Sequence, residues 1–163
     1  MTENSTRIDV LIRGGTLVDG TGSRPVSGDV AIAGNKIVEV GGKIEASGAE
    51  VIDADGAVVA PGWVDIHTHY DGQVAWDDTL DPSFSNGVTT FVMGNCGVGF
   101  APYRDGDEQA LMDVMEGVED IPGTALAEGV PWGAWNTFEQ YLDYIGERSY
   151  SMDFGAQLPR DRK

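Results

Sequence analysis

Ala60-Pro61-Gly62-Trp63-Val64-Asp65-Ile66-His67-Thr68-His69 is the stretch on which the reading of this chain turns. It holds both histidines of the 163 residues, two positions apart, at the end of an apolar run. Side chains at i and i+2 of a β-strand leave the same face, so a strand ending here aims two imidazoles at one cation. Local hydrogen bonding is the other use of a neutral imidazole pair. A second apolar run, Gly87-Val88-Thr89-Thr90-Phe91-Val92-Met93-Gly94-Asn95-Cys96, ends in the only cysteine, inside a glycine-rich loop. A thiolate beside two imidazoles suits zinc, whereas calcium and magnesium take oxygen donors.

The bulk composition narrows the possibilities. The 41% hydrophobic content is enough to build a core. A net charge of −17, from 27 acidic and 10 basic residues, repels nucleic acid and anionic membranes, because phosphate binding needs clustered Lys and Arg. One cysteine forms no internal disulfide. The polar start, Met1-Thr2-Glu3-Asn4-Ser5-Thr6-Arg7, lacks a secretory apolar segment, and no later run has the length of a membrane helix. A cytoplasmic location is expected.

Residues 1–60 read as the N-terminal part of a small β-sandwich-like composite module with tight hairpins. Its strands are Val10 to Val18, interrupted by Gly14-Gly15; Val30 to Ile32, joined to Ile37 to Val40; Val51 to Ala54; an Asp55-Gly56 turn; and Val58 to Ala60. Residues 61–163 change texture. Trp63 to Ile66 and Gly87 to Met93 read as buried-type strands of a sheet covered on both faces. Gln109 to Val118 has helical spacing through Leu111, Met112, Val114 and Met115. Thr137 to Ile145 has it too, with Asn136 or Thr137 as N-cap. Phe154 to Leu158 begins a third strand. The class is therefore α/β, the opening of a β/α architecture. A complete eightfold barrel takes about 200 to 250 residues, so the roughly 100 after the β module form a truncated one.

At these residues the chain resembles the amidohydrolase superfamily, through Pro61 to His69, and within it the N-acyl-D-amino-acid deacylases, or D-aminoacylases. The closer likeness rests on Gly87-Val88-Thr89-Thr90 leading into Gly94-Asn95-Cys96-Gly97 and Phe100-Ala101-Pro102. Met115-Glu116-Gly117-Val118-Glu119-Asp120-Ile121-Pro122-Gly123, Gly129-Val130-Pro131-Trp132 and the segment from Trp135 to Tyr141 extend it. The resemblance implies that His67 and His69 ligate zinc and that Cys96 takes the place held by a carbamylated lysine elsewhere in the superfamily. It implies hydrolysis of an N-acyl-D-amino acid to a carboxylate and a D-amino acid by water made acidic on the metal. The small-molecule substrate is anionic and needs a local cation, an Arg, which the sequence does not identify.

The family's further histidines and its general acid/base aspartate have no counterpart here, so no catalytic residue is expected within this chain, and by itself it is expected to be inactive. A separate C-terminal polypeptide, or an oligomer formed through an open sheet edge, is the expected partner. The competing readings are a dihydropyrimidinase-like cyclic amide hydrolase, disfavoured by the Gly-Asn-Cys-Gly loop, and a non-catalytic structural fragment. Asp65 reads either as a carboxylate that orients an imidazole or as a strand-end hydrogen-bond acceptor, and Tyr70 and Asp71 are further candidates for supporting the metal ligands. Trp132 and Trp135 read as packing anchors.

Overall fold

The computed structural model describes residues 7–159 and divides the chain into two units, Met1–Pro61 and Gly62–Lys163. In the first unit, β1 (Val10–Leu17), β2 (Val26–Ala33), β3 (Lys36–Gly41), β4 (Glu50–Asp53) and β5 (Val58–Val59) form one mixed sheet. Its order is β3-β2-β1-β4, with β5 also paired to β1. Among the described residues these strands form a single layer, the extent of the expected sandwich-like module that this part of it shows, with β4 and β5 both paired in parallel to the same edge of β1. The Asp55-Gly56 turn has the paired positive φ values, 45° and 78°, of a hairpin turn. Here it closes no hairpin: it carries the chain from β4 to β5 along the β1 edge.

That detour matches an irregularity in β1 itself. Pairing with β2 shifts between Ile12 and Gly15, one extra residue on the β1 side, and Gly14 adopts φ 68°, the left-handed region a bulge of this kind asks of glycine. The bulge is held by Asp29. Its Oδ1 accepts from the Gly14 N–H at 2.8 Å and its Oδ2 from the Ile44 N–H at 3.0 Å. These backbone donors, the Ile44 bond first, hold the carboxyl of Asp29 below the usual aspartate value. The Ile44 bond also delivers that side chain to the small core it shares with Leu11 and Ala31.

In the second unit, β6 (Trp63–Thr68), β7 (Val88–Met93) and β8 (Asp153–Ala156) run parallel in the order β6-β7-β8. Among the described residues three α-helices accompany them: α1 (Glu108–Glu119), α2 (Gly123–Gly129) and α3 (Phe138–Gly146). α2 escapes the sequence reading because it is short, bounded by glycines and free of amphipathic repeat. α3 begins with the capping box its sequence offers, Thr137 accepting from the Gln140 N–H while Gln140 reaches back to the Thr137 N–H.

Phe91 and Met93 of β7, fully buried, anchor the core of this unit with Tyr70, Phe100, Trp135 and Tyr141. Phe91 stacks on Phe154 of β8 and takes the edge of Tyr70, each at 5.1 Å between ring centroids. Trp135 is an anchor as expected, its indole N–H donating to the Phe100 carbonyl at 2.7 Å. β6 departs from the expectation of burial on both faces: Trp63, Val64 and Ile66 are all exposed. Among the described residues β6, like β8, lies at an edge of its sheet. No described helix is long and apolar enough to cross a membrane.

Two stability predictions follow from this packing. Phe91→Ala empties the centre of the second unit and is expected to cost roughly 3 to 5 kcal/mol in urea denaturation; a loss below 1 kcal/mol contradicts the packing described. The carboxylate of Asp29 has a lowered pKa in the folded state, so its stabilisation is complete above the unfolded value near 3.8 and fades as pH falls through the lower folded value. Asp29→Ala should lower the urea midpoint at pH 6 and narrow its gap to the parent chain below pH 4, and an equal gap at both pH values refutes this role.

Candidate metal centre

The end of β6 and the loop after β7 meet because the two strands are neighbours in parallel register. Thr68 pairs with Met93, and its hydroxyl donates to the Val92 carbonyl at 3.1 Å. Thr68 is buried, so the flanking His67 and His69 turn to the opposite side, as strand alternation requires. The pairing between Asp65 and Thr68 carries one extra β6 residue. Asp65 supports that irregularity by accepting the His67 backbone N–H at 3.0 Å. Its carboxylate therefore braces the main chain and leaves the imidazole alone.

The loop beyond β7 is shaped by Gly94 and Asn95. Gly94 has φ 85°, and a Cβ there would stand 2.5 Å from the Gln157 carbonyl oxygen, so a side chain is excluded on both counts. Asn95 donates to the Ile66 carbonyl at 2.7 Å and the Val92 carbonyl at 3.1 Å, and its own carbonyl accepts from Gln157 at 2.8 Å. One amide thus ties together β6, β7 and the residue following β8. The sequence shows Asn95 as a motif letter, but its three partners lie in separate elements and none is legible from spacing.

Cys96 follows directly and completes the group. Its Sγ lies 3.1 Å from His67 Nε2 and 3.7 Å from His69 Nε2. The three donor atoms all fall within 4.8 Å of one another. His67 and Cys96 are exposed and His69 is half-buried. Two imidazole nitrogens and one sulfur converging from two adjacent strand ends form a donor set that fits zinc.

Two acidic residues border this group. Glu119, the last residue of α1, places Oε2 3.2 Å from His69 Nε2, with both side chains largely shielded from solvent. The sequence reading passed over it. The available signal was an acidic Glu119-Asp120 pair at a helix C-terminus, the end at which a helix disfavours negative charge. Asp71 is 4% exposed, and its Oδ2 has no partner among the described residues. Burial, reinforced by the charge of Glu119, pushes its carboxyl up to about 7. Its backbone carbonyl accepts from the buried Tyr141 hydroxyl at 2.8 Å. Tyr70 points elsewhere, its hydroxyl lying within hydrogen-bond reach of the Leu80 carbonyl and the Ser83 hydroxyl.

A cavity of about 520 Å³ opens beside the cysteine loop, lined among others by Gly97, Tyr103, Arg104 and Asn136. Among the described residues of this unit, the cations are Arg104 and Arg148, and Arg148 is paired with Asp78. Of these two, Arg104 is the one that lines the cavity.

Residues 50–145 match the model of the amidohydrolase family. A D-aminoacylase of Alcaligenes xylosoxydans xylosoxydans is 34% identical over 142 residues, 87% of this chain and 26% of that enzyme. An N-acyl-D-aspartate deacylase of the same organism is 44% identical over 108 residues, 63% of this chain and 22% of the relative. The crystal structure of N-acyl-D-glutamate deacylase from Bordetella bronchiseptica, complexed with zinc and a phosphonate mimic of the tetrahedral intermediate, superposes with a TM-score of 0.74 at 27% identity. That superposition covers 94% of this chain and 30% of the other. The chain thus spans about a quarter of the length of the curated relatives it matches. With more than half of its residues inside the family model, the chain belongs to the amidohydrolase family.

Proposed function

We propose that this chain is the part of a zinc-dependent N-acyl-D-amino-acid deacylase that carries His67, His69 and Cys96 to the metal, the amide bond of the substrate being cleaved to a carboxylate and a D-amino acid. The observation that carries the reading is the convergence of two imidazoles and the only thiol of the chain within 4.8 Å. On this reading β6, β7 and β8 are the opening strands of the barrel, and residues 1–60 form its non-catalytic β companion. The thiol donor suits a reducing compartment such as the cytoplasm.

Each residue then has a defined task. Cys96 supplies the anionic donor, its thiolate favoured once a cation sits beside it. His67 and His69 supply neutral nitrogen donors from one strand end. Asp65 and Asn95 hold the backbone that presents them, by the hydrogen bonds to His67, Ile66 and Val92. Arg104, at the cavity beside Gly97, receives the substrate carboxylate. A zinc ion bound there supplies an acidified water and polarises the acyl carbonyl. Water oxygen is added to the acyl carbon, the carbon–nitrogen bond breaks, and the departing nitrogen takes a proton. The proton it takes comes from the added water, so the step is balanced as a hydrolysis.

Metal analysis of the purified 163-residue chain after zinc loading and desalting tests the assignment. About one zinc per chain is expected, falling to background in Cys96→Ala. Equal zinc in both proteins refutes the thiolate as a donor. The same loaded chain is expected to release no D-amino acid from an N-acetyl-D-amino acid, and measurable zinc-dependent turnover would show that the chain needs no further residues.

A further inference from the structure

We propose that Glu119 is a further, oxygen donor to the ion held by His67, His69 and Cys96, a role that rests on reading those three as a metal centre. The three residues form the tight group, and Glu119 joins it from the His69 side. The nitrogen of His69 that faces Cys96 is the same one that faces Glu119: Nε2 lies 3.7 Å from the sulfur and 3.2 Å from the carboxylate oxygen. Two donors bound to one tetrahedral zinc at the usual bond lengths stand about 3.3 Å apart for nitrogen and oxygen, and about 3.6 Å apart for nitrogen and sulfur. Both observed spacings fall close to those edges. The three side-chain torsions of a glutamate supply the reach needed to close the remaining ones.

Electrostatics makes the same point independently. Glu119 ends α1, whose last turn contains no basic residue, and it is followed by Asp120 in the left-handed conformation at the C-cap. Unpaired carbonyls already give that end of the helix partial negative charge. The Glu119 side chain is 15% exposed, and no Lys or Arg among the described residues pairs with it. A shielded carboxylate on the unfavourable end of a helix has a local cost, and a divalent cation shared with Cys96 and His69 removes it.

Cadmium titration followed by thiolate-to-cadmium charge-transfer absorption, together with melting of the metal-free protein, tests this on the 163-residue chain. In Glu119→Gln the dissociation constant is expected to rise about tenfold or more, while the metal-free Tm stays the same or rises as the helix end loses its unfavourable charge. Glu119→Asp, which keeps the carboxylate, should recover part of the affinity, and it serves as the reporter should the Gln variant fold poorly. Equal cadmium affinity in the parent chain and Glu119→Gln overturns the proposal and leaves the three-residue centre standing. A fall in metal-free Tm with unchanged affinity also overturns it, by assigning Glu119 to packing alone. A parent chain that shows no charge-transfer band removes the centre itself, and Glu119 with it.

Discussion

The side-by-side parallel pairing of β6 with β7 is the constraint from which the rest of the second unit follows. Parallel neighbours end at the same edge of a sheet, so whatever the chain places just past each strand is brought together there. Here that edge receives His67 and His69 from one strand and Cys96 from the loop after the next. The pairing survives at this edge because Asn95 hydrogen-bonds to carbonyls of both strands and to Gln157 beyond β8. Without such a tie the glycines around Cys96 would leave the sulfur free to wander.

Behind that edge the aromatic core does the positioning. Phe91 and Met93 alternate inward along β7 and meet Tyr141 of α3, whose hydroxyl holds the Asp71 backbone in place. The segment from His69 to Asp71 is thereby fixed from below by a helix distant in sequence. The capping box at Thr137 and the indole bond of Trp135 in turn fix where that helix begins. The cost of this arrangement is an accumulation of unneutralised acid, with Asp71 buried and Glu119 shielded against His69.

The first unit shows how far local signals carry before topology intervenes. The strand segments around Leu11, Ile32, Val40, Ile52 and Val58 are all legible, because β-branched runs punctuated by glycine and aspartate have few other conformations open to them. The pairing is not. Asp55-Gly56 has the chemistry of a hairpin turn and the φ values of one, yet the strands it joins both lie along β1. A turn dictates only its own geometry. That both strands pair in parallel with one edge of β1 is decided by contacts between segments far apart in the chain.

The sequence by itself determined the α/β character, two of the three helices, every strand region and the three metal-donor candidates, because hydrophobic period, capping chemistry and donor type are properties of short segments. Tertiary structure alone decided that the described strands of the β module lie in one sheet, that β6 lies at an edge of the described second sheet with Trp63 and Ile66 exposed, that Asp65 binds backbone while Asn95 ties β6 and β7 to Gln157, and that Glu119 comes to His69 and Arg104 to a cavity it shares with Gly97. Those are relations between residues far apart in the chain. Only closure of the fold sets their distances, and with them which charges face one another.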